Sequence, residues 1–81
     1  MNIEIPCKVG DYVYLLDRGN KKIITRKVKE INVYVSQKTT SIQIIFEIAG
    51  ICFSREFGTN AFLNKNEARQ ALEAYLNREA T

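Results

Sequence analysis

At 81 residues, 46% of them hydrophobic and 26% charged, the chain is one globular domain folding on a single core. A net charge of +3 is low for a dedicated nucleic-acid binder. No apolar run approaches the ~20 residues that span a bilayer. With no histidine and only two cysteines, Cys7 and Cys52, the common zinc sets and the usual base for a Ser or Cys nucleophile are missing. A compact chain of this length has a radius of gyration of roughly 12 Å, which leaves little room for a deep pocket.

Met1-Asn2-Ile3-Glu4-Ile5-Pro6 has neither a charged n-region nor an apolar h-region, which predicts a cytosolic protein with reduced thiols. Lys8-Val9-Gly10-Asp11 is a turn signal ahead of a first strand over residues 12–16, apolar on both faces. Asp17-Arg18-Gly19-Asn20 follows as a hairpin loop, in which Gly and Asn tolerate positive φ. The next strand runs over about 22–36. Ile24 and Val28 share one parity and Ile31, Val33 and Val35 the other, so a β-bulge or sharp bend is expected near Lys29-Glu30.

Residues 37–41 form a polar turn. Ile42, Ile44, Phe46 and Ile48 then alternate with Gln43, Ile45, Glu47 and Ala49 as a central strand. Ala49-Gly50 supplies a tight hairpin into a strand over 51–54. A turn at 56–60 leads to a last short strand over 61–63. Beyond Asn64, Ala68, Ala71, Leu72, Tyr75 and Leu76 follow one apolar helix face. Asn64 and Glu67 have the spacing of a capping box. The chain is thus mainly β with one C-terminal helix: a small SH3-like barrel or strongly bent five-stranded antiparallel sheet, packed by that helix. It is a single domain over 1–81, with about 1–63 as the sheet and about 64–78 as the helix. Phe62, Leu72 and Leu76 are expected to be buried together.

Lys8-Val9-Gly10-Asp11-Tyr12-Val13-Tyr14, Cys52-Phe53-Ser54-Arg55-Glu56-Phe57-Gly58 and the stretch from Phe62 to Leu72 resemble a widespread group of short proteins. These are encoded by phages, prophages and mobile elements of Gram-positive bacteria. The resemblance covers most of the chain, and its terminal segment is the most specific part. It implies a genomic setting, and no catalytic residue follows from it. The matching positions are turn glycines, core aromatics and a helix cap.

Catalytic constellations are thin. Cys7 sits beside Lys8, a cation able to lower a thiol pKa, but a cysteine in such a setting is more often a small buried or half-buried apolar residue. Cys52 lies among Ile51, Phe53 and Phe57 and reads as core. No nucleotide-binding glycine loop is present, and no cofactor or metal is called for. The charge is uneven: residues 1–40 carry eight Lys/Arg and four Asp/Glu, residues 41–81 four and five. The excess concentrates in Arg18, Lys21, Lys22, Arg26, Lys27 and Lys29, with Tyr34 beyond the bend and Tyr14 on the preceding strand. These six cations and Tyr34 form the candidate partner-binding surface. The bland alternative is a hairpin whose Lys and Arg keep its edges soluble. A non-enzymatic module docking on a host macromolecule, a protein and more narrowly a host-defence factor, is the expected function; the alternative is a small nucleic-acid-binding barrel using the basic hairpin.

Overall fold

Alternation of apolar residues over short segments, punctuated by turn residues, dictates strands, and the computed structural model has them. It describes residues 4–48 and 50–79. Residues 1–3 of the N-terminal reading and Ala49 of the expected hairpin lie outside those. The elements are β1 (Tyr12–Asp17), β2 (Lys22–Val35), β3 (Thr40–Phe46), β4 (Ile51–Phe53), a 3-10 turn (Ser54–Glu56), β5 (Ala61–Phe62) and α1 (Lys65–Glu79). The five strands make one curled antiparallel sheet in the order β4-β3-β2-β1-β5, a half-barrel with a C-terminal helix.

Curling starts in β2. Its first half pairs with β1, from Tyr12 opposite Lys27 to Asp17 opposite Lys22. Its second half pairs with β3, and the register slips between Val28 and Glu30, as the phase switch predicts. The extra residue, Lys29, bends the strand and hands it from one ladder to the other. Val28 serves both: its amide donates to the Asp11 carbonyl at 2.8 Å and its carbonyl accepts from Gly10 at 2.9 Å. Gly10, at φ +96°, lets the turn from Lys8 to Asp11 approach that closely.

The inner face holds Cys7, Val13, Val28, Ile42, Ile44, Phe46, Cys52 and Ala61, with Leu15, Ile31 and Phe57 packed at its margin. Phe62 and Ala68 are buried too, but outside that cluster. Phe62 pairs with Tyr14 while Ala61 pairs with Leu15, so Phe62 belongs to the opposite face of β1. There α1 lies against β1, β2 and β5. This is why β1 is apolar on both faces: Val13 and Leu15 look inward, Tyr14 and Leu16 toward the helix side. Asn64 caps the helix, its side-chain oxygen accepting from the amides of Asn66 (2.7 Å) and Glu67 (3.3 Å). The reciprocal bond from Glu67 does not form. A carboxylate instead reaches back at the 3-10 turn, where Glu56 accepts from the Phe53 amide at 2.7 Å.

Several sequence expectations need correction. Ile48 is 76% exposed, because β3 ends at Phe46, whose amide donates to the carbonyl of Gly50 at φ +111°. The polar turn sits one residue earlier, with the Ser36 amide donating to Thr39, so Thr40 and Ser41 belong to β3. Ser54 leaves β4 for the 3-10 turn, and Leu63 falls after β5, exposed. Leu72 and Leu76 are half-buried and not core, since a single helix on a small sheet is covered on one side only. In the β1–β2 loop the positive φ falls on Lys21 (+56°), not on Gly19 or Asn20. Asp17 explains that loop: its carboxylate accepts from the Asn20 amide at 3.2 Å and side chain at 2.8 Å, which leaves Lys21 to close it in the left-handed region. The radius of gyration is 13.8 Å and the molecule measures 44 × 27 × 19 Å. It is longer than the compact expectation because the β2–β3 hairpin projects as an arm beyond the reach of β1.

In chemical denaturation, Ile44→Ala at the fully buried centre of β3 should cost about 2–5 kcal/mol. Leu72→Ala, half-exposed, should cost only about 1–2 kcal/mol, and Asn64→Ala about 1 kcal/mol through the cap. Lys21→Gly should stabilise by roughly 0.5–1 kcal/mol, because glycine relieves the left-handed strain at a smaller entropic cost. A destabilised Lys21→Gly would contradict the loop geometry.

Candidate functional site

The candidate residues occupy three stations, at the β1–β2 loop, at the bend and on the arm of β2. Arg18, Lys21 and Lys22 cluster at the β1–β2 loop. Arg18 places its guanidinium 5.5 Å from the centre of the Tyr75 ring on α1, so the loop is tied to the helix by a cation–π contact. Tyr75 in turn donates to Glu79 at 2.8 Å, a bond that holds its phenol pKa above the ordinary value. Asp17 is shifted the other way, its carboxyl held low chiefly by the hydrogen bond from the Asn20 side chain. Among the described residues Lys21 makes no hydrogen bond or ion pair.

The second station is the bend. Arg26 points to the inner face opposite Val13 and is half-buried, donating to the Thr25 carbonyl at 3.1 Å. Lys27 is exposed on the outer face and lies 3.8 Å from Glu47. Lys29, the bulged residue, is exposed and unpaired among the described residues. Around them runs a shallow groove lined by Val9, Gly10, Lys27, Val28, Lys29 and Glu47.

Tyr34 is the third station, far out on the arm. Twelve residues separate it from Lys22, about 40 Å of strand contour. Its hydroxyl donates to Gln43 at 3.2 Å, and its neighbours on the outer face are Ser41, Gln43 and Asn32. None of the six candidate cations lies next to it on that face. The structure therefore brings together Arg18, Lys21 and Lys22, and separately Lys27 and Lys29, but does not join either group to Tyr34. Tyr14 is half-buried on the helix side and offers no open ring.

One residue escapes the sequence reading. Tyr12 is 56% exposed and lies directly opposite Lys27, on the same outer face. An aromatic ring and a cation thus stand together at the rim of the groove, with exposed Val9 close by. The signal was available in the loop: closing β1 onto β2 across residues 18–21 fixes 12 opposite 27.

Neither thiol is set up for nucleophilic work. Cys7 and Cys52 are buried free thiols in the inner core. Burial, and then the Asp11 carboxylate, raise the Cys7 pKa. Cys52 is pushed up to about 12 by burial first, then by Glu56 and Cys7. Among the described residues no group of three or more His, Cys, Asp or Glu could hold a metal ion. Among the described residues no helix is long and apolar enough to cross a membrane.

In the native protein at pH 8, iodoacetamide should label neither cysteine appreciably, and both should react once the chain is unfolded. The raised pKa values also set a pH dependence. The unfolded thiols ionise near pH 9 and the folded Cys52 near 12, so above pH 9 the unfolded state holds fewer protons than the native one. Stability should be unaffected by these groups below about pH 8 and fall as pH rises from 9 toward 12. Cys52→Ser, which removes the thiol pushed furthest up and leaves only Cys7 to titrate, should make that decline shallower in denaturant melts.

The chain matches no known protein family, no curated protein and no solved structure.

Proposed function

We propose that this chain is a non-catalytic binding module that docks on a macromolecule of the host cell, with the bend end of the β1–β2 hairpin, where the outer face is exposed at Tyr12 and Lys27, as its contact. The observation that carries the reading is the mixed chemistry around the bend. Tyr12, Val9 and the aliphatic stems of Lys27 and Lys29 supply apolar area, while Lys27, Lys29 and Glu47 supply charges of both signs. Such a blend suits a protein partner, where Tyr anchors the contact and flanking charges orient it. Arg18, Lys21 and Lys22 extend the surface toward the helix and speed encounter with an acidic partner. Tyr34 takes part only when the partner is large enough to span bend and arm. The resemblance to short phage and mobile-element proteins supports a target in the host cytoplasm, and inhibition of a host-defence nuclease is the narrower role it favours.

Nucleic acid is the second reading, favoured by the unpaired Lys21 and Lys29. Against it stand Glu47, which offsets Lys27, and Tyr34, which lies away from the cations. The two readings separate in one experiment. A protein partner recovered by affinity capture should lose binding on Tyr12→Ala by about tenfold or more, and modest salt should leave much of the affinity. Phosphate binding would instead show a steep fall in affinity with salt, and the double variant Lys27→Gln, Lys29→Gln would flatten that slope by about two phosphate contacts. Full binding retained by Tyr12→Ala and by the double lysine variant would remove this surface from consideration.

A further inference from the structure

The arm carries an unfinished edge. Along residues 30–35, β2 pairs only with β3. β1 stops at the partner of Lys27, and no other backbone among the described residues hydrogen-bonds to that stretch. Its sequence, Glu30-Ile31-Asn32-Val33-Tyr34-Val35, is rich in β-branched and aromatic residues and lacks Pro and Gly. Such an edge is a template for another strand. The devices that blunt edges are weak here: the Lys29 bulge guards only the base, and the sole charge further out is Glu30. The inner-facing side chains worsen the exposure, since Val33 and Val35 are 39% and 63% exposed although their parity points to the core side.

We propose that this edge pairs antiparallel with the same edge of a second copy of the chain, joining two half-barrels through a two-fold axis at Val33. The argument for a second copy is self-complementarity. With Val33 opposite Val33 of the second copy, Ile31 falls opposite Val35 of the second copy, and Val35 opposite its Ile31. All three apolar residues of the inner face then meet one another. On the outer face Asn32 meets Tyr34 of the second copy, and the reverse. Glu30 lies opposite Ser36 of the second copy, so within residues 30–36 no two like charges are set directly opposite one another. An isologous strand pairing of this kind closes on itself and does not propagate. The interface is narrow, below about 1,200 Å², which makes the dimer a weak one with a dissociation constant of about micromolar or above.

The test is sedimentation and light scattering of the intact chain over a wide concentration range, with hydrogen exchange as a residue-level readout. Mass should rise from 9.3 kDa toward twice that value. In the wild type, amides of residues 30–35 should gain protection with concentration, while those of β4 and β5 should not. Val33→Lys with Val35→Lys should raise the dissociation constant at least about tenfold, with the far-ultraviolet spectrum kept. Lys27→Gln should leave the dimer intact, which separates this proposal from the docking surface at the bend. A mass of one chain up to millimolar concentration would overturn it. So would a dimer whose concentration-dependent protection falls outside residues 30–35, and that readout needs no variant.

Discussion

The β-bulge at Lys29 is the constraint on which the rest of this molecule depends. Without it, Val28 and Ile31 would fall on opposite faces of a straight strand, and one half of β2 would have to expose its apolar set. Bending there lets Val28 face the core with Val13 and Phe46 while Ile31, three residues later, faces the same core with Ile44. The same bend brings the turn from Lys8 to Asp11 against Val28, where Gly10 and Asp11 complete its backbone bonds. Hydrophobic burial thus selects the bend, and hydrogen bonding secures it. Since Lys29 is the looped-out residue, its ammonium is displayed at the corner, next to the groove that Lys27 and Glu47 border.

Much of this was legible in the chain because burial imposes a period. The parity switch in β2 located the bulge, and the alternation of Ile42, Ile44 and Phe46 located the central strand. The spacing of Ala68, Ala71, Leu72, Tyr75 and Leu76 located the helix. What stayed hidden depends on partners that periodicity does not encode. Ile48 continues the alternation of β3 perfectly well, yet the hairpin closes two residues before it. Leu72 has the right phase on α1, but a lone helix on a small sheet keeps one flank wet. Lys21 takes the left-handed conformation in preference to the glycine two residues away because Asp17 draws Asn20 into an earlier part of the loop.

The candidate surface was harder to read for a related reason. A cluster of cations in sequence is not a cluster in space when it lies on a strand. Residues at even and odd positions face opposite ways, so Arg26 turns inward while Lys27 turns out, and a bent strand carries Tyr34 far from Lys22. Register decides which aromatic ring joins which cation. It is Tyr12, across the ladder, that stands with Lys27. Glu47 comes within reach of Lys27 because its amide donates to the Lys27 carbonyl at 2.9 Å, pinning the end of β3 to the bend. The mixed charge of the groove is therefore a product of the topology.

A half-barrel must manage two open edges and one open mouth. This one keeps its sheet-order edges short, with three residues in β4 and two in β5, each ending in a turn or in the helix. Such brevity is an effective guard, because a foreign strand gains few hydrogen bonds from it. The guard fails where β2 outruns β1. There the strand is long enough to template a partner, and the inner-facing Val33 and Val35 lack a covering layer. Closing the barrel within one chain would have needed β1 to continue past Tyr12, but Gly10 and Asp11 turn it back to bond Val28. The contact that secures the bend is thus the one that leaves the arm's edge unpaired among the described residues, and the same bulge that builds the core creates a surface open to another strand.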